Sequence, residues 1–185
     1  MLRRGFLAAA PLTLLAACGP GVFGGAGTPR PEMPRSYDLR NLRFDVLLDL
    51  VISEDETYYP IADIVWRGDP RGARIPQIAS MFQTAFDRNQ SVLRGDTPID
   101  LEITLVRFHA VTDLTRLTVG GVYNIIFDMT VRDARDGSII EPQRRIEGNL
   151  DAPGGRRGQL LIEQGLTQRV RVTDFLTVFL RQQLV

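Results

Sequence analysis

The chain has 185 residues and an ordinary globular composition, 44% hydrophobic and 24% charged, enough to bury the core of one domain. Its 22 basic residues, all arginine, balance 22 acids, and zero net charge excludes the basic face of a typical nucleic-acid binder. One cysteine and one histidine exclude a disulfide framework, Cys-rich zinc sites and multi-histidine metal motifs, so neither a metal nor a cofactor is expected.

The chain opens with the three parts of an export signal. Arg3 and Arg4 form a positive start, Phe6–Leu15 is a short apolar run, and the small residues Ala16 and Ala17 precede Cys18. Ten or so apolar residues are too few to span about 30 Å of hydrocarbon as a helix. Leu15-Ala16-Ala17-Cys18 matches the bacterial lipobox, which implies cleavage between Ala17 and Cys18 and lipidation, palmitate included, of the Cys18 thiol. Several acyl chains at about 0.8 kcal/mol per buried CH₂ make a stable anchor where one chain would be marginal. Residues 1–17 are thus read as a lipoprotein signal peptide. Arg3-Arg4 also resembles the core of a twin-arginine signal, although the flanking Ser/Thr and Lys of that pattern are missing. Gly19 follows the cysteine; in lipoproteins that this chain resembles, Asp there retains the protein at the inner membrane, so Gly favours the outer one.

Residues 18–35 read as the lipidated cysteine and a tether. Gly19–Arg35 contains five Gly and four Pro in 17 residues, with little to bury. Its coil-like reach is roughly 20–25 Å. No strand precedes this glycine-rich run and no GK[ST] follows it, so it carries no phosphate-binding loop.

Residues 36–185 are expected to form a single periplasmic α+β domain. Phe44 to Ile52 alternates like a half-buried strand, and Glu54-Asp55-Glu56 reads as a solvated turn. Ile61–Trp66 is a short or edge strand. Ile75 to Leu93 has a helical apolar stripe through Ile78, Met81, Phe82, Ala85, Phe86 and Asn89, read as core. Ile99–Leu105 and Tyr123–Val131 alternate as long strands, separated by a connection that ends in Gly120-Gly121. Asp136-Gly137 marks a hairpin to a strand through Ile146, Gly148 and Leu150. After a loop at Pro153–Gly158, Gln159 to Gln183 is mainly helical, with a possible restart at Thr173 or Asp174. The order β-β-α-β-β-β-α predicts an α+β fold: a mainly antiparallel sheet of four to five strands with two helices on one face. The other face then carries Asp45, Asp49, Asp100, Glu102, Asp128 and Arg132.

The lipobox, the tether and this order resemble small Gram-negative lipoproteins. Ile64-Val65-Trp66-Arg67-Gly68-Asp69-Pro70, Arg107-Phe108-His109-Ala110 and Thr118-Val119-Gly120-Gly121-Val122 are similar to segments of an uncharacterised lipoprotein family, over most of the chain after the signal. That resemblance implies an address and no activity. A looser topological likeness extends to auxiliary lipoproteins of ABC-type lipid transport systems and to the lipoprotein that plugs the lipopolysaccharide translocon, which is analogy of fold.

Few residues offer chemistry. His109 suits proton transfer near neutral pH, but no GxSxG serine accompanies it, and a satisfied structural histidine is the favoured reading. Trp66 with Arg67 could form a recognition patch or pack against the sheet. Arg144-Arg145 and Arg156-Arg157 could bind anionic head groups or simply be solvated. The sequence therefore points to a non-enzymatic, membrane-anchored accessory lipoprotein that faces the periplasm and binds an envelope protein partner. The alternative is a lipid or glycolipid binder using a groove between helices and sheet. Replacing Cys18 with Ala is expected to move the protein out of the membrane fraction and abolish palmitate labelling, read by fractionation and intact-mass spectrometry.

Overall fold

The computed structural model describes residues 35–185; the signal segment, Cys18 and all of the tether but Arg35 lie outside the described residues. The described elements are strand β1 (Tyr37–Val46), strand β2 (Ile64–Val65), helix α1 (Arg74–Gln90), strand β3 (Thr97–His109), helix α2 (Asp113–Leu117), strand β4 (Gly120–Asp133), strand β5 (Ile139–Pro153), helix α3 (Gly155–Glu163) and helix α4 (Gln168–Leu184). They build an α+β fold around one five-stranded sheet of order β1-β3-β4-β5, with β2 paired to the far end of β3. No described helix is long and apolar enough to cross a membrane.

The sheet is mixed. β3, β4 and β5 are antiparallel neighbours as the alternation predicts, but β1 and β2 both run parallel to β3. The reason is α1. Parallel neighbours need a crossover, and a 17-residue helix of about 25 Å returns the chain to the starting edge of the sheet. The first strand also lies earlier than its alternation suggests. The last ladder bond is donated by the Leu47 amide to the Leu105 carbonyl, and Asp49, at φ 66°, turns the chain away. Asp49 is consequently a turn residue, and Leu47 and Leu48 are exposed. The C-terminal helical region is two helices. Gly165, at φ 81°, separates them, and Thr167 caps α4 by accepting a hydrogen bond from the Val170 amide. The restart lies at Thr167, ahead of Thr173 and Asp174, so Arg169–Val172 is helical despite its strand-like alternation.

α1 and α4 cover one face. Phe82 sits between Phe44 and Phe127 at centroid distances of 5.1 and 5.4 Å, and Phe127 meets Phe179 edge-on at 6.3 Å. Buried Asn89 locks the two helices together, donating to the Ala85 and Thr177 carbonyls and accepting from Arg181 Nε at 2.9 Å. The space between helices and sheet is therefore filled, and the hollow between α3, α4 and the sheet measures only about 10 Å³. Among the described residues, interlocking aromatic side chains fill the space between α1, α4 and the sheet where a lipid groove was expected.

The opposite face is polar and has no covering element among the described residues. Glu102 pairs with Arg132 at 2.8 Å, Asp128 with Arg145 at 2.9 Å, and Asn41 donates to Asp100 at 2.8 Å. Glycine at 148 lets α4 approach β5: a Cβ there would lie 2.7 Å from Phe179 and 2.9 Å from Phe175. Gly148→Val is expected to destabilise the domain by about 1–3 kcal/mol, the usual cost of overpacking, as read by urea unfolding.

Candidate functional site

At the end of the sheet where β1 and β3 finish, two arginines are taken out of water. Arg74 is only 3% exposed and the Arg67 side chain 6%. A buried guanidinium must be met by acceptors on all sides. Glu54 takes Arg74 in a bidentate pair at 2.7 and 2.9 Å, and Glu56 takes Arg67 Nε at 2.5 Å. The carbonyls of Ser53, Asp55 and Trp66 complete the Arg67 shell. The acidic turn at 54–56 is exposed, as a solvated loop would be, and two of its carboxylates also counter buried charge. Arg74 holds the Glu54 carboxyl below its ordinary value. Burial alone would raise Glu56, but hydrogen bonds from Arg67 and from the Leu114 and Asp113 amides outweigh it and lower it. Glu56 therefore fastens the 47–63 connection to the first turn of α2 as well as to Arg67.

The segment Trp66 to Pro70 is part of the same clasp. Trp66 is fully buried, meets Phe108 edge-on at 5.4 Å, and donates its indole N–H to Asp69 at 2.8 Å. Asp69 also takes Arg169 of α4 at 2.5 Å. Gly68 lies against the indole, where a Cβ would fall 2.2 Å from the ring. Trp66 therefore cannot meet a partner, and Arg67 is turned inward by the charges it neutralises.

This clasp delivers Tyr58 and Tyr59 to the open face of the sheet. Thr115 and Thr112 donate their hydroxyls to the Tyr58 and Thr57 carbonyls, fixing the turn. The Tyr59 ring stacks on His109 at 4.4 Å, and its hydroxyl accepts from Arg107 at 2.8 Å. His109 is 4% exposed, with Nε2 3.0 Å from the Pro60 carbonyl. Burial pushes its imidazole below the ordinary value, with Arg107 adding in the same direction. Its place is under an aromatic lid, with no nucleophile beside it among its hydrogen-bond partners.

Between this lid, α2 and the start of β4 lies an open cleft of about 620 Å³. Tyr58, Tyr59, Val111, Val119, Val122, Asn124 and Asn149 line it above the Gly120-Gly121 floor. No local pattern in the sequence links these residues, although Tyr58 and Tyr59 beside Pro60 signal a shaped turn.

The remaining candidates are scattered. Arg144 binds the Gln183 side chain and carbonyl near the end of α4, and Arg145 caps Asp128, holding that carboxyl below its ordinary value. Arg156 and Arg157 are exposed on α3, away from the other pair, and Arg157 stands 3.9 Å from Asp151. The four do not converge. Ala17 and Cys18 lie outside the described residues. No group of three or more His, Cys, Asp or Glu among the described residues is arranged to hold a metal.

Residues 37–185 match the model of a family of unknown function, DUF6778. No curated protein matches. Among solved structures, the chain is similar to protein XCC0632 from Xanthomonas campestris, of the DUF330 family, at 13% identity and TM-score 0.43, over 85% of this chain and 90% of that one. It is also similar to a "putative lipoprotein" from Caulobacter crescentus CB15 at 10% identity and TM-score 0.29, over 81% and 88%.

The titrating groups predict an acid-labile domain. Glu54, Glu56 and Asp128 titrate lower when folded than when unfolded, so their stabilisation is present above about 4.5 and is lost as pH falls through the folded values. His109 folds neutral, so its unfolded form gains the proton first once pH drops below 6.5. Unfolding free energy should therefore fall in two stages below neutrality. His109→Gln is expected to flatten only the upper stage, measured by denaturant unfolding between about pH 7 and 4.

Proposed function

This chain belongs to the DUF6778 family of unknown function, and we propose that it is a lipid-anchored accessory protein of the bacterial envelope that binds a protein partner without catalysis. One observation carries the binding half of this reading. The pole of the domain that holds the clasp also concentrates exposed apolar side chains: Leu48 is 84% exposed and Ile61 98%, with Val51, Ile52, Leu117 and Val119 on the same end. Single exposed apolar residues are ordinary, but a cluster on one end costs solubility unless a partner covers it. The arginine clasp keeps these residues presented, so docking needs little reordering.

The anchoring half rests on the sequence. The lipobox at Cys18, the Gly/Pro tether and Gly19 support an address at the membrane facing the periplasm, with the outer membrane favoured. The tether enters at Arg35, whose guanidinium meets Glu141 and the Gln183 carbonyl beside the start of β1. β1 is 10 residues long, so the apolar pole stands roughly 33 Å from that entry point. Support for a non-catalytic role comes from His109, whose ring is committed to Tyr59 and Pro60.

Capture from native membranes in mild detergent, followed by mass spectrometry, tests this. One envelope protein should be recovered in stoichiometric amount with the unaltered chain and fall at least about tenfold with Ile61→Asp or Leu48→Asp, roughly the 1.4 kcal/mol that one lost apolar anchor represents. A solitary protein, or recovery indifferent to both substitutions, would overturn the reading.

A further inference from the structure

The cleft on the open face borders the apolar pole and shares Val119 with it, but its chemistry is different. Its twelve lining residues carry no Arg, Asp or Glu, and the one histidine among them is covered by Tyr59. A neutral cleft is a poor site for phosphate head groups or acidic lipids, which call for guanidinium partners. It is equally poor for an acyl chain, which requires a closed apolar tunnel, because this cleft is open and contains amides.

Three neighbouring strands set out its recognition groups in a row. His109 of β3, carrying Tyr59 on its ring, is paired with Asn124 of β4, and Asn124 is paired with Asn149 of β5. Strand spacing puts these groups about 4.8 Å apart, close to the width of a pyranose ring. Tyr59 is held at both ring and hydroxyl yet remains 66% exposed, a rigid aromatic platform with one free face. Asn124 spends both amide hydrogens, on Glu147 at 2.7 Å and on Asn149 at 2.9 Å. That fixes the side chains and leaves the Asn124 Oδ1 acceptor and the Asn149 Nδ2 donor free of partners among the described residues. Val111, Val119 and Val122 form an apolar wall beside them.

An oriented amide donor and acceptor, a flat aromatic face and a small apolar pocket together fit one kind of ligand. The geometry points to an uncharged, N-acetylated hexosamine saccharide: sugar ring against the Tyr58–Tyr59 lid, acetamide N–H donating to Asn124 Oδ1, a sugar hydroxyl oxygen accepting from Asn149 Nδ2, and the acetamide methyl against the valines. The volume of about 620 Å³ lies inside the range of small-ligand clefts. Recognition is concentrated in a few groups that folding has already placed, so weak but specific binding is expected.

The test is a titration of the folded domain with N,N′,N″-triacetylchitotriose, followed by ¹H–¹⁵N NMR, with maltotriose as the sugar lacking acetamides. Saturable shifts of the Asn149 side-chain amide and of the Gly120 and Gly121 backbone amides are expected with the first sugar only. Tyr58→Ala and Asn149→Ala should each weaken binding at least tenfold. Both positions are exposed, and an unchanged spectrum elsewhere shows that the fold is intact. No saturable shift at millimolar sugar, or an equal response to maltotriose, overturns the assignment. Cosedimentation with peptidoglycan sacculi, compared with vesicles bearing an N-acetylhexosamine glycolipid, distinguishes a wall polymer from a lipid head group; retention by neither also overturns it. Ile61→Asp should leave sugar binding unchanged, so failure here and failure of the partner reading are separately visible.

Discussion

Two buried arginines organise the functional end of this protein. A guanidinium removed from water costs several kcal/mol unless its hydrogen bonds are replaced, so Arg67 and Arg74 dictate where the chain around them goes. The 47–63 connection contains little regular structure, yet it cannot wander, because Glu54 and Glu56 must remain within reach of those charges. Everything the loop carries inherits that constraint: Tyr59 over His109, the fastening to α2, and the wall of the cleft.

The Ile64–Pro70 segment acquires its sense from the same clasp. As a string it allows a surface recognition patch, with Trp and Arg side by side, and favours Trp66 packed against the sheet. Folded, it is a lock in which the indole donates to Asp69, Gly68 clears space for the ring, and Asp69 reaches Arg169 one hundred residues away. The lock's own members are consumed in holding it closed. The two faces of the sheet divide in the same manner. One is filled by interlocking Phe side chains from α1 and α4, and the other keeps polar side chains whose partners are mostly each other.

Hydrophobic periodicity made much of the fold legible. Ile99 to Leu105 and Tyr123 to Val131 alternate without interruption because one face of each is buried, and the Ile78–Phe86 stripe of α1 is read for the same reason. Periodicity misled where an apolar pattern outran its partner. Leu48, Leu50 and Ile52 continue the rhythm of β1 beyond the last residue that β3 can pair, and Arg169–Val172 alternates inside a helix that Thr167 had already begun. Strand direction was not legible either. Nothing in the residues of β1 distinguishes parallel from antiparallel pairing, which is decided by the length of the α1 crossover.

From the sequence alone come the expectation of an export signal, a lipidated Cys18 and a tether, and also the α+β class and the core of each long element. These depend on local order: a few residues in a row, or a repeat of two or about four. Tertiary structure alone decided that Glu54 and Glu56 are the counter-charges of Arg74 and Arg67, that Tyr59 covers His109, and that Asn124 and Asn149 stand beside Tyr59. Each of those facts is a meeting of residues 11 to more than 20 positions apart. Such meetings follow from burial, which obliges polar groups to find partners wherever the fold happens to bring them.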